Sequence, residues 1–252
     1  PAAAAEARAI ETAIAPLDGY ARQLPIRIRG AAGWKPGNVP AVWLVGELGA
    51  GPEWKGGADA DLLLTNTAGA TLASAQARVE PGARSFRAVF SPSEPLSSGD
   101  YIVRVRVKGA LGPSSQAGAL APSSQAGAAM ASASETLRIA LPEAPDATGE
   151  LFVRRGPSTG NREAATSDLR FRRSDRLRIE IPTPSDVAVS ARLLDRTGKP
   201  LNVPVTASVR DDADGSRWQV AQLALAPLAP SDYVIEVSSG GKRTLAGFRV
   251  IP

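Results

Sequence analysis

From residue 24 onward, apolar and polar positions alternate with a period of two, which is the spacing of a strand that buries one face. Turn-forming Gly, Pro, Asn and Asp residues separate successive runs. In the first half, the alternating or short apolar runs are 24–29, 39–45, 61–65, 85–90, 101–107 and 136–141. Short strands divided by turns in this way are typical of packed antiparallel sheets, so the pattern predicts an all-β fold.

The second half of the chain repeats segments of the first. Residues 64–72 correspond to 193–201, and the Asp-Tyr pair that ends 96–101 corresponds to the pair that ends 228–233. At the offset of these Asp-Tyr pairs, Phe86 corresponds to Trp218. Repetition of one supersecondary unit predicts two tandem immunoglobulin-like or fibronectin-III-like β-sandwiches.

Each Asp-Tyr pair enters an alternating strand, as in the tyrosine corner of immunoglobulin-like sandwiches. In that motif the phenol hydroxyl donates a hydrogen bond to backbone a few residues upstream. We therefore predict a structural role for Tyr101 and Tyr233.

A helical segment precedes the strands. Residues 2–15 are rich in alanine, the best helix former, and Pro16 ends the segment. The apolar stripe of this helix, Ile10 and Ile14, is thin, and the chain starts at Pro1 without Met, so we expect the helix to connect to a further N-terminal part. The predicted organisation is a helix with its connector (1–19), a first sandwich (20–141), a linker (142–149) and a second sandwich (150–252).

A low-complexity segment, 111–119, is repeated with one change as 120–128. It has two interpretations, a linker between the sandwiches or an expanded hairpin loop within the first one. Only Ser238 to Arg243 joins the last two strands of the second half, so we favour a flexible hairpin loop over 108–134. The segment lacks the large apolar side chains of a membrane span, and we predict none.

The chain contains no cysteine and no histidine. These two absences exclude disulfides, Cys and His zinc ligands, thiol nucleophiles and every acid–base relay that needs an imidazole. No carboxylate pair, Ser–Lys dyad or nucleophile elbow stands out among the remaining residues. We therefore predict that the chain is not an enzyme and has no catalytic, cofactor or metal site.

Positive charge is concentrated in the second half. The formal net charge is +4, and residues 151–252 hold 16 Lys and Arg against 11 Asp and Glu. The arginines of 154–178 alternate with apolar residues and therefore line the polar face of two predicted strands. The candidate interaction residues of this face are Arg170, Arg172, Arg176 and Arg178.

The arginine-rich face has three interpretations. It is either a solvated sheet face with local Asp and Glu partners, or a docking surface for an acidic partner domain or polyanion, or a nucleic-acid surface. Phe171 alternates onto the apolar face of its strand, so the arginine face has no interleaved aromatic residue for base stacking, and we predict no nucleic-acid binding.

Two tryptophans, Trp34 and Trp54, fall in loop-like stretches. An exposed Trp can form a sugar-stacking platform, whereas a buried Trp fills the space between sheets, and either role fits these two positions. Trp43 falls in a predicted strand, and we expect it in a core.

Two further motifs lack the spacing that their ligands require. The acidic run Asp211 to Gly215 does not fit a calcium loop, because Arg210 and Ala221 take ligand positions, so we interpret it as a polar hairpin turn. The glycines at 46, 49, 51, 56 and 57 match neither GxGxxG nor GxxxxGK[ST], so we predict no nucleotide site.

Parts of the second half resemble a known family. The segments that carry the resemblance are 151–161 (LFVRRGPSTGN), 171–178 (FRRSDRLR), 191–201 (ARLLDRTGKPL) and 225–233 (LAPLAPSDY). They are similar to the C-terminal β-rich region of bacterial proteins described as von Willebrand factor A-related. The resemblance covers most of 151–252 and, more loosely, 17–141. It implies an exported parent protein that works through protein–protein contacts, with the helix leading out of an A domain. No Asp-x-Ser-x-Ser motif occurs here, so the metal site of an A domain is not implied.

The sequence therefore predicts a non-catalytic structural or protein-interaction module of a larger exported bacterial protein. Its expected partner is a protein, either an N-terminal domain or an acidic partner. The alternative is a module that binds carbohydrate or a polyanion through exposed Trp34 and Trp54 or through the arginine-rich face.

Overall fold

The computed structural model describes residues 2–21, 24–109 and 131–252. The chain begins with helix α1 (Ala2–Ile14), which passes into a 3-10 segment, Ala15–Ala21. The α-helix therefore ends ahead of Pro16, as predicted, because proline disfavours helical backbone in the residue before it.

Residues 24–109 and 131–141, the described part of the first half, form seven strands in two antiparallel sheets. One sheet has the order β1-β2-β5, and the other has the order β4-β3-β6-β7. The strands are β1 (Ile26–Lys35), β2 (Val39–Leu48), β3 (Ala58–Asn66), β4 (Thr71–Val79), β5 (Ser85–Phe90), β6 (Gly99–Gly109) and β7 (Ser132–Leu141).

The second half forms nine strands, also in two sheets. Their orders are β13-β14-β11-β8-β9 and β10-β16-β15-β12. The strands are β8 (Leu151–Arg155), β9 (Glu163–Thr166), β10 (Arg170–Arg172), β11 (Arg176–Pro182), β12 (Val189–Asp195), β13 (Thr206–Asp211), β14 (Arg217–Ala224), β15 (Ser231–Ser239) and β16 (Lys242–Ile251).

The predicted all-β fold of two immunoglobulin-like sandwiches behind a short helix is confirmed. In the first half β2 pairs with β5, and β3, β6 and β7 lie in the other sheet; in the second half β11 pairs with β14 in the same way, and β12, β15 and β16 lie in the other sheet. The halves differ at the edges of their sheets: β4 adds to β3 in the first half, whereas β13 adds to β14 and β9 adds to β8 in the second. The second half also has β10, which pairs in parallel with β16.

Each sandwich has its own apolar core. The first is filled by side chains such as Val42, Leu62 and Val103, and the second by Phe152, Phe171 and Phe248. A separate apolar cluster joins the outer face of β1 and β2 to the outer face of β8 and β14. The sandwiches therefore pack sheet against sheet. The boundaries given for independent domains stay a prediction.

Residues 142–149, the predicted linker, are hydrogen-bonded to the first sandwich. Ala32 and Thr148 exchange two backbone hydrogen bonds of 2.8 Å. Gly149 has a φ of 78°, and a Cβ at this position would lie 2.4 Å from the carbonyl oxygen of Gly30. The segment is thereby held along β1 instead of spanning open solvent.

Both tyrosine corners are confirmed. The Tyr101 hydroxyl donates to the carbonyl of Ser97, and the Tyr233 hydroxyl donates to the carbonyl of Ala229 at 2.9 Å. The acidic run before Gly215 forms a hairpin turn between β13 and β14, also as predicted.

Phe86 and Trp218, which the repeat aligns, lie on opposite faces of their sheets. Phe86 packs over Gly46 in the core of the first sandwich, whereas Trp218 points outward from β14 into the cluster between the sandwiches. A shift of one residue moves a strand side chain to the opposite face, and matching aromatic residues alone did not resolve that shift.

The predicted flexible loop over 108–134 lies mostly outside the described residues, which stop at 109 and resume at 131. Its flanks are described: β6 and β7 are adjacent antiparallel strands, with Lys108 opposite Ser132. The segment therefore connects neighbouring strands of one sheet.

Candidate interaction surfaces and the interface between the sandwiches

The two candidate tryptophans do not form an exposed platform. Trp54 ends a 3-10 turn, Pro52–Trp54, and is only 3% exposed within the first core. Trp34 lies in β1, not in a loop, and is half-buried against the same core, where its indole N–H donates to the carbonyl of Pro142. The Trp54 assignment to a surface is thus corrected, because its large apolar ring is better accommodated in the core.

Two of the four candidate arginines are held by carboxylates of their own surface. Arg170 forms two hydrogen bonds with the carboxylate of Asp168, at 2.8 and 3.0 Å. Arg178 bonds Glu163 at 2.6 Å and Glu180 at 2.8 Å. For Asp168, burial acts to raise the pKa, and the hydrogen bonds from Arg170 outweigh it, so the pKa lies below its ordinary value.

The other two candidates, Arg172 and Arg176, are exposed and lie at either end of one tight turn between β10 and β11. Arg173 lies on the same turn, and its guanidinium donates to the carbonyl of Ala226. Arg176 stands directly opposite Arg155 of β8. Over the described ranges, none of these four arginines has a carboxylate within ion-pair distance. We call Arg155, Arg172, Arg173 and Arg176 the arginine rim.

A buried pair of tryptophans marks the interface between the sandwiches. Trp43 of β2 and Trp218 of β14 are 1% and 0% exposed, and their rings meet edge to face with centroids 4.9 Å apart. The Trp43 indole donates to the hydroxyl of Ser216, and the Trp218 indole donates to Asp212. Trp43 is buried as predicted, but between sandwiches and not between the sheets of one.

Glu47 of β2 reaches across this interface. One of its carboxylate oxygens accepts hydrogen bonds from the Thr166 hydroxyl at 2.7 Å and from the backbone N–H groups of Ser167 and Asp168 at 3.1 and 3.0 Å. Three donors on one oxygen replace the water that a buried carboxylate loses. The segment after β9 is thereby fixed to the first sandwich.

Glu180 of β11 has no solvent exposure and sits among three arginines. Arg178 and Arg210 belong to its own sandwich, and Arg87 comes from β5 of the first, at 2.6 Å. The Arg87 guanidinium also lies 4.4 Å from the ring centroid of Trp218. The Arg87 contact therefore adds a charge-assisted link between the sandwiches to the packing of the tryptophan pair.

Two further ion pairs flank the interface. Arg29 of β1 binds Glu150 at 2.7 Å, yet burial raises the pKa of Glu150 despite that attraction. Lys35 of β1 lies near Asp214 in the β13–β14 turn. Burial acts to raise the pKa of Asp214, but hydrogen bonds from Ser216 and the charge of Lys35 outweigh it and lower that pKa.

The interface residues were not identified from the sequence. One signal was present in the sequence, the continuous apolar run 41–45 (AVWLV), which is the pattern of a strand covered on both faces, and in the structure residues 41–48 are all buried. The interpretation of 39–45 as a short apolar run did not extend to a second covering layer. The charged partners Glu47, Arg87 and Glu180 carried no local signal, because each is defined by residues far along the chain.

A crevice of about 620 Å³ opens beside Glu47, where the β4–β5 turn faces the β8–β9 hairpin. Its walls include Glu80, Arg84, Arg154 and Arg162. Arg84 donates two hydrogen bonds to the carbonyl of Leu48, and Arg154 donates to the carbonyls of Asp168 and Arg170. The guanidinium groups of Arg84 and Arg154 therefore hold backbone of their own sandwiches.

Helix α1 covers the outer face of the β10-β16-β15-β12 sheet. Ile10 is 2% exposed and packs with Leu194 and Val234. Gly247 of β16 lies under the helix, and a Cβ there would lie 2.2 Å from the carbonyl oxygen of Ala13. At the rim of this contact, Arg243 binds both oxygens of Glu6.

Among the described residues, no cluster of Asp and Glu has the arrangement of a metal site. The helical part of the described chain is also too short and too weakly apolar to cross a bilayer.

Comparison with known proteins gives matches among solved structures. No family model matches the chain, and no curated protein is similar to it. A solved structure titled "Marsupial T cell receptor" shares 13% identity over 88% of this chain and 94% of that one, with a TM-score of 0.26. A likeness at that score supports no argument about function, so the function must be inferred from the surfaces themselves.

Proposed function

We propose that the chain is a non-catalytic structural module that holds two immunoglobulin-like sandwiches in one fixed relative orientation and presents their surfaces to other proteins. The buried interface between the sandwiches carries this proposal. It combines the Trp43–Trp218 pair, the Glu47 carboxylate with three donors, and the Arg87–Glu180 pair. A flexible tandem needs only a linker, so an interface with buried charges from both sandwiches favours rigidity.

The chemistry of the chain also favours a non-catalytic role. It has neither imidazole nor thiol, and its buried carboxylates Glu47 and Glu180 are occupied by hydrogen bonds and arginines. Membership in a larger exported bacterial protein of the von Willebrand factor A-related kind stays part of the proposal and rests on the sequence resemblance. The carbohydrate alternative loses the support of its tryptophans, since Trp54 is buried and Trp34 is half-buried.

Nuclear magnetic relaxation of backbone amides tests the proposal. We expect the two sandwiches to share one rotational correlation time. In the double variant Trp43→Ala, Glu47→Gln, we expect the correlation times of the two sandwiches to separate. Trp54→Phe is the matched control, because Trp54 lies within the first core, and it should leave the shared value unchanged.

Different correlation times for the two sandwiches of the unaltered protein would contradict the rigid module. Hydrolytic turnover by this chain would contradict its non-catalytic character.

A further inference from the structure

The arginine rim concentrates positive charge that the fold does not neutralise. Arg172, Arg173 and Arg176 lie within one turn, and Arg155 lies opposite Arg176 on the neighbouring strand. The nearest cross-strand carboxylate, Glu163, stands opposite Arg155 but binds Arg178 at 2.6 Å. Asp175, at the centre of the turn, is 3% exposed and accepts the backbone N–H of Arg172.

In the first sandwich, exposed cations have carboxylates opposite them on the neighbouring strand. On the outer face of β3 and β6, Asp61 stands opposite Arg106, and Asp59 stands opposite Lys108. Opposite charges across strands stabilise a sheet, whereas like charges directly opposite destabilise it. The Arg155–Arg176 pair is therefore unfavourable for folding by itself, which indicates that an anion from outside the chain completes it.

The positions of two rim arginines are already fixed. The Arg155 Nε–H donates to the carbonyl of Asn161, and Arg173 donates to the carbonyl of Ala226. Each guanidinium keeps further N–H groups in its planar fork, a geometry that matches a carboxylate. Prior positioning lowers the entropy that binding must overcome.

We propose that the arginine rim is a docking surface for an acidic peptide segment of a partner protein, with carboxylates bridging Arg155 and Arg176 and binding the Arg172–Arg173 turn. This inference rests on the proposed function as an interaction module, and it names the partner's chemistry.

The other anionic partners fit this surface less well. Sugar and base recognition use exposed aromatic rings, and the tryptophans of this chain are buried or half-buried in its cores and interface. Membrane binding uses apolar side chains beside the cations, whereas the exposed large apolar residues of the described chain, Leu24, Val39, Leu63 and Val187, lie outside the rim strands and turn. An acidic peptide segment can be bound by guanidinium groups alone, because each planar guanidinium donates paired hydrogen bonds to a carboxylate.

Fluorescence anisotropy with a labelled ten-residue peptide of alternating Asp and Glu tests the inference, with the Asn and Gln peptide of the same order as the neutral probe. We expect the acidic probe alone to bind, and Arg155→Gln, Arg176→Gln to weaken it roughly tenfold. The matched control is Arg104→Gln, Arg106→Gln on the first sandwich. It removes the same charge from a face with its own carboxylates and should weaken binding less than about twofold.

Thermal unfolding supplies an independent measurement. Because the two arginines repel each other, Arg155→Gln, Arg176→Gln should unfold at the same temperature as the unaltered protein or slightly above it. A lower unfolding temperature would show that the pair stabilises the fold, and would overturn the argument for an external anion.

Equal affinity of the rim variant and the unaltered protein for the acidic peptide would also overturn the inference. So would binding to a sulfated heparin oligosaccharide, or to vesicles of phosphatidylserine and phosphatidylcholine, without binding to the peptide. In each case the shared correlation time of the sandwiches is unaffected, so failure of this inference is distinguishable from failure of the rigid module.

Discussion

In each sandwich, one sheet contains the tyrosine-corner strand, β6 in the first and β15 in the second. The outer face of this sheet is exposed in the first sandwich and covered by a helix in the second. In the first, the outer face of β3, β6 and β7 is polar, and Asp61 opposite Arg106 is typical of its charge pairing. In the second, Leu194 and Val234 form an apolar stripe, which Ile10 of α1 covers. The outer face of such a sheet can therefore be exposed to solvent or covered by another secondary-structure element. Which of the two occurs depends on whether a few outward-facing side chains are charged or apolar.

The difference extends to the backbone under the helix. Gly247 allows the carbonyl of Ala13 to approach β16 more closely than any side chain would permit. A stripe of two isoleucines would make a marginal helix alone, so α1 depends on this docking. The helix at the start of the chain is in this way part of the last sheet.

The largest effect is expected from removing a side chain of the covered stripe. Leu194→Ala should lower the free energy of unfolding by about 2–5 kcal/mol, because it leaves a cavity where Leu194 is 1% exposed. We call the exposed outer face of β3, β6 and β7 the bare face. Leu63→Ala is the matched control on the bare face, where Leu63 is 40% exposed, and it should lower the free energy of unfolding by less than about 0.5 kcal/mol. Denaturant unfolding measures both, and equal losses would show that the two faces are equally covered.

A smaller loss is expected from adding atoms under the helix. Gly247→Val should displace α1 and cost about 1–3 kcal/mol, because its Cβ would overlap the carbonyl of Ala13. Limited proteolysis should then cut within residues 2–21 while the sandwiches stay intact. Ser134→Val adds a similar side chain to the bare outer face of β7 and should leave the cleavage pattern unchanged. Continued protection of α1 in Gly247→Val would refute its close docking.

Strands with one face in a core and one face in water could be predicted from period-two alternation, whereas residues 41–48 of β2 are buried on both faces and show no alternation. β4 could not be predicted, since its Ala, Ser, Thr and Gln residues give little apolar contrast. The burial of Trp54 could not be predicted, because a 3-10 turn that begins at Pro52 has no period that shows which way the ring points. The docking of α1 and the Glu180 cluster could not be predicted, because their partners are far away in sequence.

The inner sides of the two sheets should respond alike, in contrast to their outer faces. Tyr101→Phe and Tyr233→Phe each remove one hydrogen bond to a backbone carbonyl. Each should cost about 0.5–1.5 kcal/mol in denaturant unfolding. A difference well beyond this range between the two variants would mean that the sandwiches differ in their cores as well as in their coverings.

The smallest effect is expected from acid. The hydrogen bond from Arg243 lowers the pKa of Glu6 below its ordinary 4.5. A depressed carboxyl pKa adds stability that is complete above the ordinary value and is lost as the pH falls through the lowered one. Amide signals of α1 should therefore show growing mobility in relaxation measurements as the pH falls below about 4.5, and Glu6→Gln should show it already at pH 7.

The bare face offers the control for this titration. Arg138 and Asp100 form an exposed ion pair of 2.8 Å there, but they join strands β6 and β7, which are already paired along their length. Asp100→Asn should therefore change no local mobility at pH 7, because the backbone ladder and the core hold both strands. If Glu6→Gln also leaves the mobility of α1 unchanged at pH 7, the apolar stripe and Gly247 are sufficient to hold the helix. The ion pair between Arg243 and Glu6 then contributes nothing measurable.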